Sequence, residues 1–242
     1  MTRFRYVMVT AAATLGIAIA GFVPTAPRLL WNASASVPIG FYTVAPADRI
    51  EMPDLVAVMP PEPFASYMVD RGYVARDVPL LKRVIGLPGD TVQLVGGQVI
   101  LNGQPLPQTP NGVFSEPKLP QGPGRTLPRC WNEPVPEGGA CEKQRFTETL
   151  PNGVAHDVLN ILDGWPLDDT PVFTVPAGNY FFMGDNRDNS EDSRVPAIAG
   201  GLGFVPAEYL IGRADRVMFS SAGSSLLYFW TWRADRFFRA IH

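Results

Sequence analysis

Histidine and cysteine are scarce in this chain, whose 242 residues include two of each. A zinc site needs three or four protein ligands, drawn mainly from these two residue types, so we expect no metal. His156 lies in a proline-rich middle region and His242 is the last residue of the sequence. A Ser-His-Asp triad is therefore not expected either.

Positive charge is not in excess, because the formal net charge is −3 and the isoelectric point is about 5.4. This balance offers no basic surface to a nucleic acid, and we expect no nucleic-acid partner. The sequence has no glycine-rich phosphate or dinucleotide loop, so no organic cofactor is expected. The 23 glycines and 25 prolines favour short strands joined by turns, and the fold class that we predict is mainly β.

One long apolar stretch is present, an uncharged run of 18 residues at 6–23. A transmembrane helix needs roughly 20 residues, so we predict a membrane anchor within residues 1–30. Arg3 and Arg5 precede the run, and the positive-inside rule then places the body of the chain outside the cytoplasm. The alternative is a cleavable signal peptide, because Ala18-Ile19-Ala20 resembles a cleavage site. In both cases the body of the chain is exported.

Export gives the two cysteines a structural interpretation. Cys130 and Cys141 enclose ten residues of a Pro/Gly-rich region, and exported proteins occupy a compartment where disulfides persist. We predict a disulfide between them, with two free thiols as the alternative. The surrounding segment, 105–171, has no sustained hydrophobic period, and we interpret it as an insertion that forms a small subdomain.

Short apolar runs bounded by turn residues predict the strands of the β domain. Gly96-Gly97 between two such runs predicts a tight hairpin, because glycine adopts the positive φ angles of the turn. The tail from Leu226 onwards places aromatic residues at helical spacing with arginines on another side. This pattern predicts a helix on the membrane surface or a cap on the β domain. The predicted strands are 41–44, 55–59, 81–85, 91–95, 98–101, 172–175, 179–183 and 211–219. The predicted division is an anchor (1–30), two parts of a β domain (31–104 and 172–225), the insertion (105–171) and a basic aromatic tail (226–242).

Residues 184–194 form a polar loop directly after an aromatic strand, and they read Gly-Asp-Asn-Arg-Asp-Asn-Ser-Glu-Asp-Ser-Arg. Charged side chains cannot be buried without partners, so such a loop is built to orient other groups. A calcium loop is the competing interpretation, because Asp188, Ser190 and Asp192 alternate. That interpretation is not favoured, since no glycine follows at the sixth position and no glutamate closes a twelve-residue loop.

Lys82 lies in an apolar run that predicts a buried strand, Leu80-Leu81-Lys82-Arg83-Val84-Ile85. Adjacent residues of a strand point to opposite faces, so Lys82 can line a dry pocket while Arg83 meets carboxylates. Burial lowers the pKa of a lysine from its usual ~10.4, which allows the amine to act as a base. Ser34 and Ser36 are the candidate nucleophiles, because Pro38 and Gly40 predict a rigid turn beside them.

Three segments in this order, 32–40, 82–90 and 184–194, resemble the signature boxes of the bacterial type I signal peptidase family. The resemblance covers roughly residues 32–102 and 172–219 together with the N-terminal anchor. It implies antiparallel sheets of the signal-peptidase type and a membrane-anchored serine endopeptidase with a Ser–Lys dyad. The implied site lies at the outer face of the cytoplasmic membrane, and the implied partners are the lipid bilayer and exported precursors. Those precursors would carry small residues at positions −1 and −3.

The resemblance also implies a role for each residue of the site. Ser36 would be the nucleophile and Lys82 the base, with the Ser34 hydroxyl and the Ser36 N–H forming the oxyanion hole. Ser190 would orient Lys82. The remaining charged residues would tie the loop to the strand that carries Arg83 by ion pairs; they are Asp185, Arg187, Asp192 and Arg194.

The serine segment departs from the export-type pattern, in which two residues usually separate the serine from the proline. Only Val37 lies between Ser36 and Pro38. The segment instead resembles the peptidases that mature conjugative pilin, whose box reads Ser-x-Pro-x-Gly before an aromatic pair like Phe41-Tyr42. By the export-type spacing Ala35 would occupy the nucleophile position, and the enzyme would be inactive.

Three other functions stay open or are disfavoured. The enzyme could be dedicated to one conjugative pilin, or the chain could be a non-enzymatic, β-rich binding protein of the cell envelope. A self-cleaving repressor of the DNA-damage response also uses a Ser–Lys pair, but the exported topology argues against it.

Overall fold

The computed structural model describes residues 29–32, 36–37, 40–46, 49–220, 232 and 237–241. Among these residues no helix is long and apolar enough to cross a membrane. The predicted anchor at 6–23 lies outside the described residues, and so does most of the tail.

The described residues form one short α-helix, three 3₁₀ turns and fifteen strands, and the prediction of a mainly β fold is confirmed. In chain order the elements are β1 (Leu29–Asn32), β2 (Gly40–Ala45), β3 (Leu55–Val58), α1 (Phe64–Asp70), β4 (Leu80–Gly86), β5 (Thr91–Val95), β6 (Gln98–Leu101), β7 (Gln104–Pro105), β8 (Gln108–Pro117), β9 (Ala140–Thr149), β10 (Ala155–Asn160), β11 (Phe173–Thr174), β12 (Asn179–Met183), β13 (Val205–Pro206), β14 (Leu210–Phe219) and β15 (Arg239–Ala240).

The strands pair antiparallel in three sheets. The main sheet has eight strands in the order β1-β2-β14-β3-β4-β12-β13, with β15 pairing to β14. A second sheet has the order β11-β5-β6-β7, and its β5–β6 hairpin turns at Gly96 and Gly97, whose φ angles are +54° and +78°. The third sheet, β10-β9-β8, lies wholly within residues 105–171, and we call it the insertion sheet.

Strand β4 lies between β3 and β12 at the centre of the molecule, and all seven of its residues are buried. Leu80 and Val84 pack into one core cluster with Phe64 and Met68 of α1, while Ile85 belongs to a second cluster with Phe181 of β12. Side chains alternate along a strand, so Lys82 shares the face of Leu80 and Val84. The fold thus places this lysine towards apolar packing.

Three parts of the structure differ from the sequence-based expectation. The segment 105–171 gave no strand pattern, yet it contains β8, β9 and β10. Helix α1 was not predicted either. In the tail, Arg239 and Ala240 form strand β15 against Arg216 and Val217, so the prediction of helix is wrong at these two positions.

Candidate active site

Lys82 is the central residue of the site, and it is 2% exposed. In β4 it lies opposite Val56 of β3, and its neighbours on the same face are apolar. Burial lowers the pKa of Lys82 to about 8, and the nearby carboxylate of Asp192 offsets part of this effect. An amine with such a pKa is neutral in a substantial fraction of molecules under mildly alkaline conditions and can accept a proton.

The Lys82 amine donates a hydrogen bond to the Ser190 hydroxyl, with 2.6 Å between Nζ and Oγ. Ser190 packs directly over Gly184, the first residue of the loop. A Cβ atom at Gly184 would clash with Ser190 Oγ. Glycine at position 184 therefore leaves the space that the Ser190 hydroxyl occupies beside Lys82.

Ser36 lies on the short turn between β1 and β2, and its side chain is buried. Its hydroxyl donates to the carbonyl oxygen of Leu81, the residue before Lys82, at 3.4 Å. Its own carbonyl oxygen accepts from the N–H of Asn186 in the polar loop at 3.2 Å. The serine turn, β4 and the loop therefore meet at one place. Ser34, the other serine of this segment, lies outside the described residues.

An ion pair between Arg83 and Asp185 ties the loop to β4, as the resemblance implied. Arg83 Nε and Nη2 lie 2.6 and 2.9 Å from the two carboxylate oxygens of Asp185, and Nη1 donates to the Pro53 carbonyl oxygen at 2.8 Å. Burial raises the pKa of the Asp185 carboxyl, but the Arg83 guanidinium outweighs it and holds the pKa below its usual range. Lys82 and Arg83 thus contact different parts of the same loop from one strand.

Asp192 and Arg194 pair with each other rather than with the strand that carries Arg83, so that part of the prediction is wrong. Arg194 Nε and Nη2 lie 2.8 and 2.9 Å from the Asp192 oxygens, and both side chains are fully buried. Asp192 also accepts from the N–H of Gly184 at 3.1 Å, which closes the loop on itself. Its carboxylate raises the pKa of Lys82, whereas Arg194 lowers it.

Arg187 also has a partner that the sequence analysis did not identify. Its guanidinium pairs with Glu148 on β9 of the insertion sheet, with Nη2–Oε1 at 2.7 Å and Nη1–Oε2 at 3.2 Å. His156 of β10 lies opposite Glu148 in the strand register, with Nε2 at 3.4 Å from Oε1. Burial raises the pKa of Glu148, but Arg187 holds it well below its usual range.

No pattern in the sequence indicated that Glu148 and His156 are buried. They lie in a polar segment that reads as a solvated surface, and Glu148 is separated from Arg187 by 39 positions. The disulfide predicted in the same segment is present between Cys130 and Cys141. The neighbouring Arg129 donates from Nη1 to the carbonyl oxygen of Asp188 at 3.1 Å, so this part of the insertion also contacts the loop.

The chain is similar to known proteins along most of its length. The family model described as signal peptidase, peptidase S26, matches residues 1–219. Signal peptidase I of Rickettsia typhi is 36% identical over 147 residues, which are 58% of this chain and 46% of the relative. Signal peptidase I of Rickettsia bellii is 36% identical over 147 residues, 58% of this chain and 42% of the relative.

The chain thus spans about half the length of the curated relatives that it matches. A solved structure, a signal peptidase I from Enterococcus faecalis V583, is 21% identical and has a TM-score of 0.32. The similarity covers 69% of this chain and 97% of that one.

Proposed function

This chain belongs to the signal peptidase, peptidase S26, family, and we propose that it is a serine endopeptidase that removes signal peptides from exported precursor proteins. The observation that carries the proposal is the Lys82 amine, buried among apolar residues and bonded to a hydroxyl rather than to a carboxylate. A lysine that serves structure alone gains nothing from this environment, because burial disfavours its charged form. A lysine that acts as a base requires it.

In the proposed reaction Ser36 Oγ attacks the carbonyl carbon of the scissile peptide bond while Lys82 accepts the hydroxyl proton. The negative charge on the carbonyl oxygen is stabilised by the Ser36 N–H and the Ser34 hydroxyl. The C–N bond then breaks, and Lys82 returns the proton to the leaving amine. A water molecule, deprotonated by Lys82, hydrolyses the acyl-enzyme and regenerates Ser36. Ser190 keeps the Lys82 amine in position through both steps.

The proposed substrate is an extended segment with small side chains at positions −1 and −3, bound as an added strand. The proposed anchor at 6–23 would place the site at the outer face of the cytoplasmic membrane, where the signal sequence of an exported precursor emerges. About a dozen residues separate its end from Ser36, so the site would lie close to the lipid bilayer. We assign 31–104 and 172–225 to the catalytic β domain, 105–171 to an inserted subdomain and 226–242 to the tail.

The test is precursor cleavage by the full chain in membranes, compared with Ser36→Ala and Lys82→Ala. Both variants are expected to fold, as judged by circular dichroism and thermal melting, and to leave the precursor uncut. Cleavage by both variants at the rate of the unsubstituted protein would contradict the mechanism. A folded chain that cleaves no precursor but binds envelope proteins would favour the non-enzymatic alternative.

A second candidate function is favoured by the serine segment, whose Ser-x-Pro-x-Gly spacing resembles the peptidases that mature conjugative pilin. A generic precursor with an Ala-x-Ala site separates the two functions. Cleavage of that precursor supports the general secretory role, whereas cleavage of a pilin precursor alone supports the dedicated one.

A further inference from the structure

The polar loop 184–194 is held from two sides, and only one of them is the main sheet. On that side, Arg83 binds Asp185 and Lys82 binds Ser190. On the other side lies the insertion sheet, which contributes no residue to the proposed bond-breaking chemistry. Its contacts with the loop nevertheless include a pair of buried charges, so they need an explanation.

The strongest contact of the insertion sheet with the loop is the pair between Glu148 and Arg187. Both guanidinium nitrogens of the fork face both carboxylate oxygens, a geometry that fixes orientation as well as distance. Glu148 is 0% exposed, and the Arg187 side chain is 6% exposed. The other titratable groups near the pair are His156 of β10, whose pKa burial lowers, and the charged Arg83–Asp185 pair.

Three backbone N–H groups, close together at the end of β10 and just after it, also donate hydrogen bonds to the loop. The Leu159 N–H donates to the Asp185 carbonyl oxygen at 2.7 Å. The Asp188 carboxylate accepts from the N–H groups of Ile161 and Leu162 at 2.7 and 3.0 Å. Residues 185–188 are therefore fixed against β10 and the segment that follows it.

The path from this contact to the base is short. Arg187–Asn189 form a single 3₁₀ turn, and Ser190 follows it directly. The carbonyl oxygen of Arg187 also accepts a hydrogen bond from Arg194, so the last residue of the loop is joined to Arg187. A displacement of Arg187 would therefore move the hydroxyl that holds the Lys82 amine.

We infer that Glu148 is a positioning residue: its contact with Arg187 holds the loop so that the Ser190 hydroxyl stays against the Lys82 amine. The inserted subdomain is then part of the machinery that keeps the base dry and aligned, although it supplies no residue to the proposed bond-breaking chemistry. This inference rests on the proposed function, since it concerns the same base.

The test compares Glu148→Gln with a matched control, Glu116→Gln, in the full chain. Glu116 pairs with the buried Lys143 in the same insertion sheet, between β8 and β9, rather than with a residue of the loop. Both substitutions remove a carboxylate partner from a buried cation, so damage to the insertion sheet itself is matched. The readouts are kcat and KM for precursor cleavage across pH, and amide hydrogen exchange of residues 184–190.

For Glu148→Gln we expect kcat to fall about tenfold with little change in KM, because the base is misaligned while substrate binding remains. The rising limb of the pH profile should move up by roughly half a unit to one unit, because water reaches a less tightly held amine. Exchange of residues 184–190 should become faster. In Glu116→Gln the rising limb of the pH profile and the amide hydrogen exchange of residues 184–190 should be the same as in the unsubstituted protein.

An unshifted limb and unchanged loop exchange in Glu148→Gln would overturn the inference, and so would equal shifts in both variants. If the unsubstituted protein cleaves no precursor, the proposed function fails, and loop exchange alone then decides whether Glu148 holds the loop. If Glu148→Gln does not fold, Glu148→Asp serves instead. It keeps the charge but shortens the side chain by one methylene, and it is expected to show the same changes at smaller amplitude.

Discussion

Two buried lysines, one in the main sheet and one in the insertion sheet, have opposite kinds of partner. Lys143 on β9 is 1% exposed and forms an ion pair with the Glu116 carboxylate. Lys82 on β4 is 2% exposed, and its amine bonds to the Ser190 hydroxyl. Burying an ammonium is costly unless a carboxylate accompanies it, so the Lys143 pair has an ordinary structural explanation. The arrangement at Lys82 fits the base that we propose, which requires a neutral amine.

The comparison is tested most strongly by replacing each lysine with methionine, which is similar in size and apolar. Lys82→Met should lower kcat/KM by about 10³-fold or more, because a general base contributes about 10²- to 10⁴-fold. Its thermal stability should stay equal or rise, since a buried amine is replaced by a side chain that suits the core.

Lys143→Met is the counterpart, and kcat/KM per folded molecule should stay unchanged while stability falls. The loss should be about 1–3 kcal/mol, because the Glu116 carboxylate, which is partly exposed, is left without its partner. Precursor cleavage and chemical denaturation measure the two quantities. Loss of cleavage in Lys143→Met with native stability would mean that the two lysines do not differ as described.

A smaller effect on activity is expected from Gly184→Ala. The new methyl group would occupy the position of the Ser190 hydroxyl, which must then move away from Lys82. A shift of this size at a catalytic group costs about 10²-fold in rate, mainly in kcat. Ser193→Ala is the control in the same loop: its hydroxyl bonds to the N–H of Phe182, away from Lys82. A native kcat in Gly184→Ala would mean that catalysis does not depend on the position of the Ser190 hydroxyl beside Lys82.

The pH dependence of cleavage tests the lowered pKa of Lys82. Lys82 must be neutral to accept a proton, and its pKa is about 8, so kcat/KM should rise with pH through this value. The neutral fraction increases about fivefold from pH 7 to pH 8 and changes little above pH 9. A profile that keeps rising past pH 10 would contradict a lowered pKa. The contribution of Lys82 to stability also rises with pH. Between pH 8 and the unfolded value of 10.5 the unfolded chain binds more protons than the folded one, so raising the pH favours the folded state.

The smallest effect on activity is expected from removing the disulfide by the double substitution Cys130→Ser and Cys141→Ser. The bridge closes a loop of ten residues, and its loss should destabilise the insertion by roughly 2–3 kcal/mol. The Glu148–Arg187 pair and the two bonds to Asp188 remain, so kcat/KM should change by less than about twofold. A large loss of activity at native stability would instead assign the main support of the loop to the disulfide segment.

The main sheet and the insertion sheet also differ in how much of each the sequence predicts. The burial of Lys82 follows from the apolar run around it, and the β5–β6 hairpin follows from Gly96-Gly97. Strand geometry turns Arg83 away from Lys82 and towards carboxylates, and the family resemblance implied Asp185 as one of its partners. These features depend on local patterns of a few residues.

The insertion sheet depends on pairing between distant residues. Glu148 and His156 are polar residues in a proline-rich segment, and local patterns place such residues on the surface. Glu148 is buried because Arg187 supplies a countercharge from 39 positions away, and His156 is buried opposite Glu148 in the strand register. The partner of Arg187 was missed for the same reason, since the loop sequence shows which charges need partners but not which residue supplies them.

The central claim, a lysine amine whose pKa burial lowers to about 8, is tested most directly by titrating Lys82 itself. Carbon-13 NMR of the lysine side-chain carbons next to the amine, with the Lys82→Met variant to identify the signal, gives the pKa without any substrate. The account predicts a midpoint near pH 8 for Lys82. A midpoint above pH 10, the value of a solvated ammonium, would contradict it.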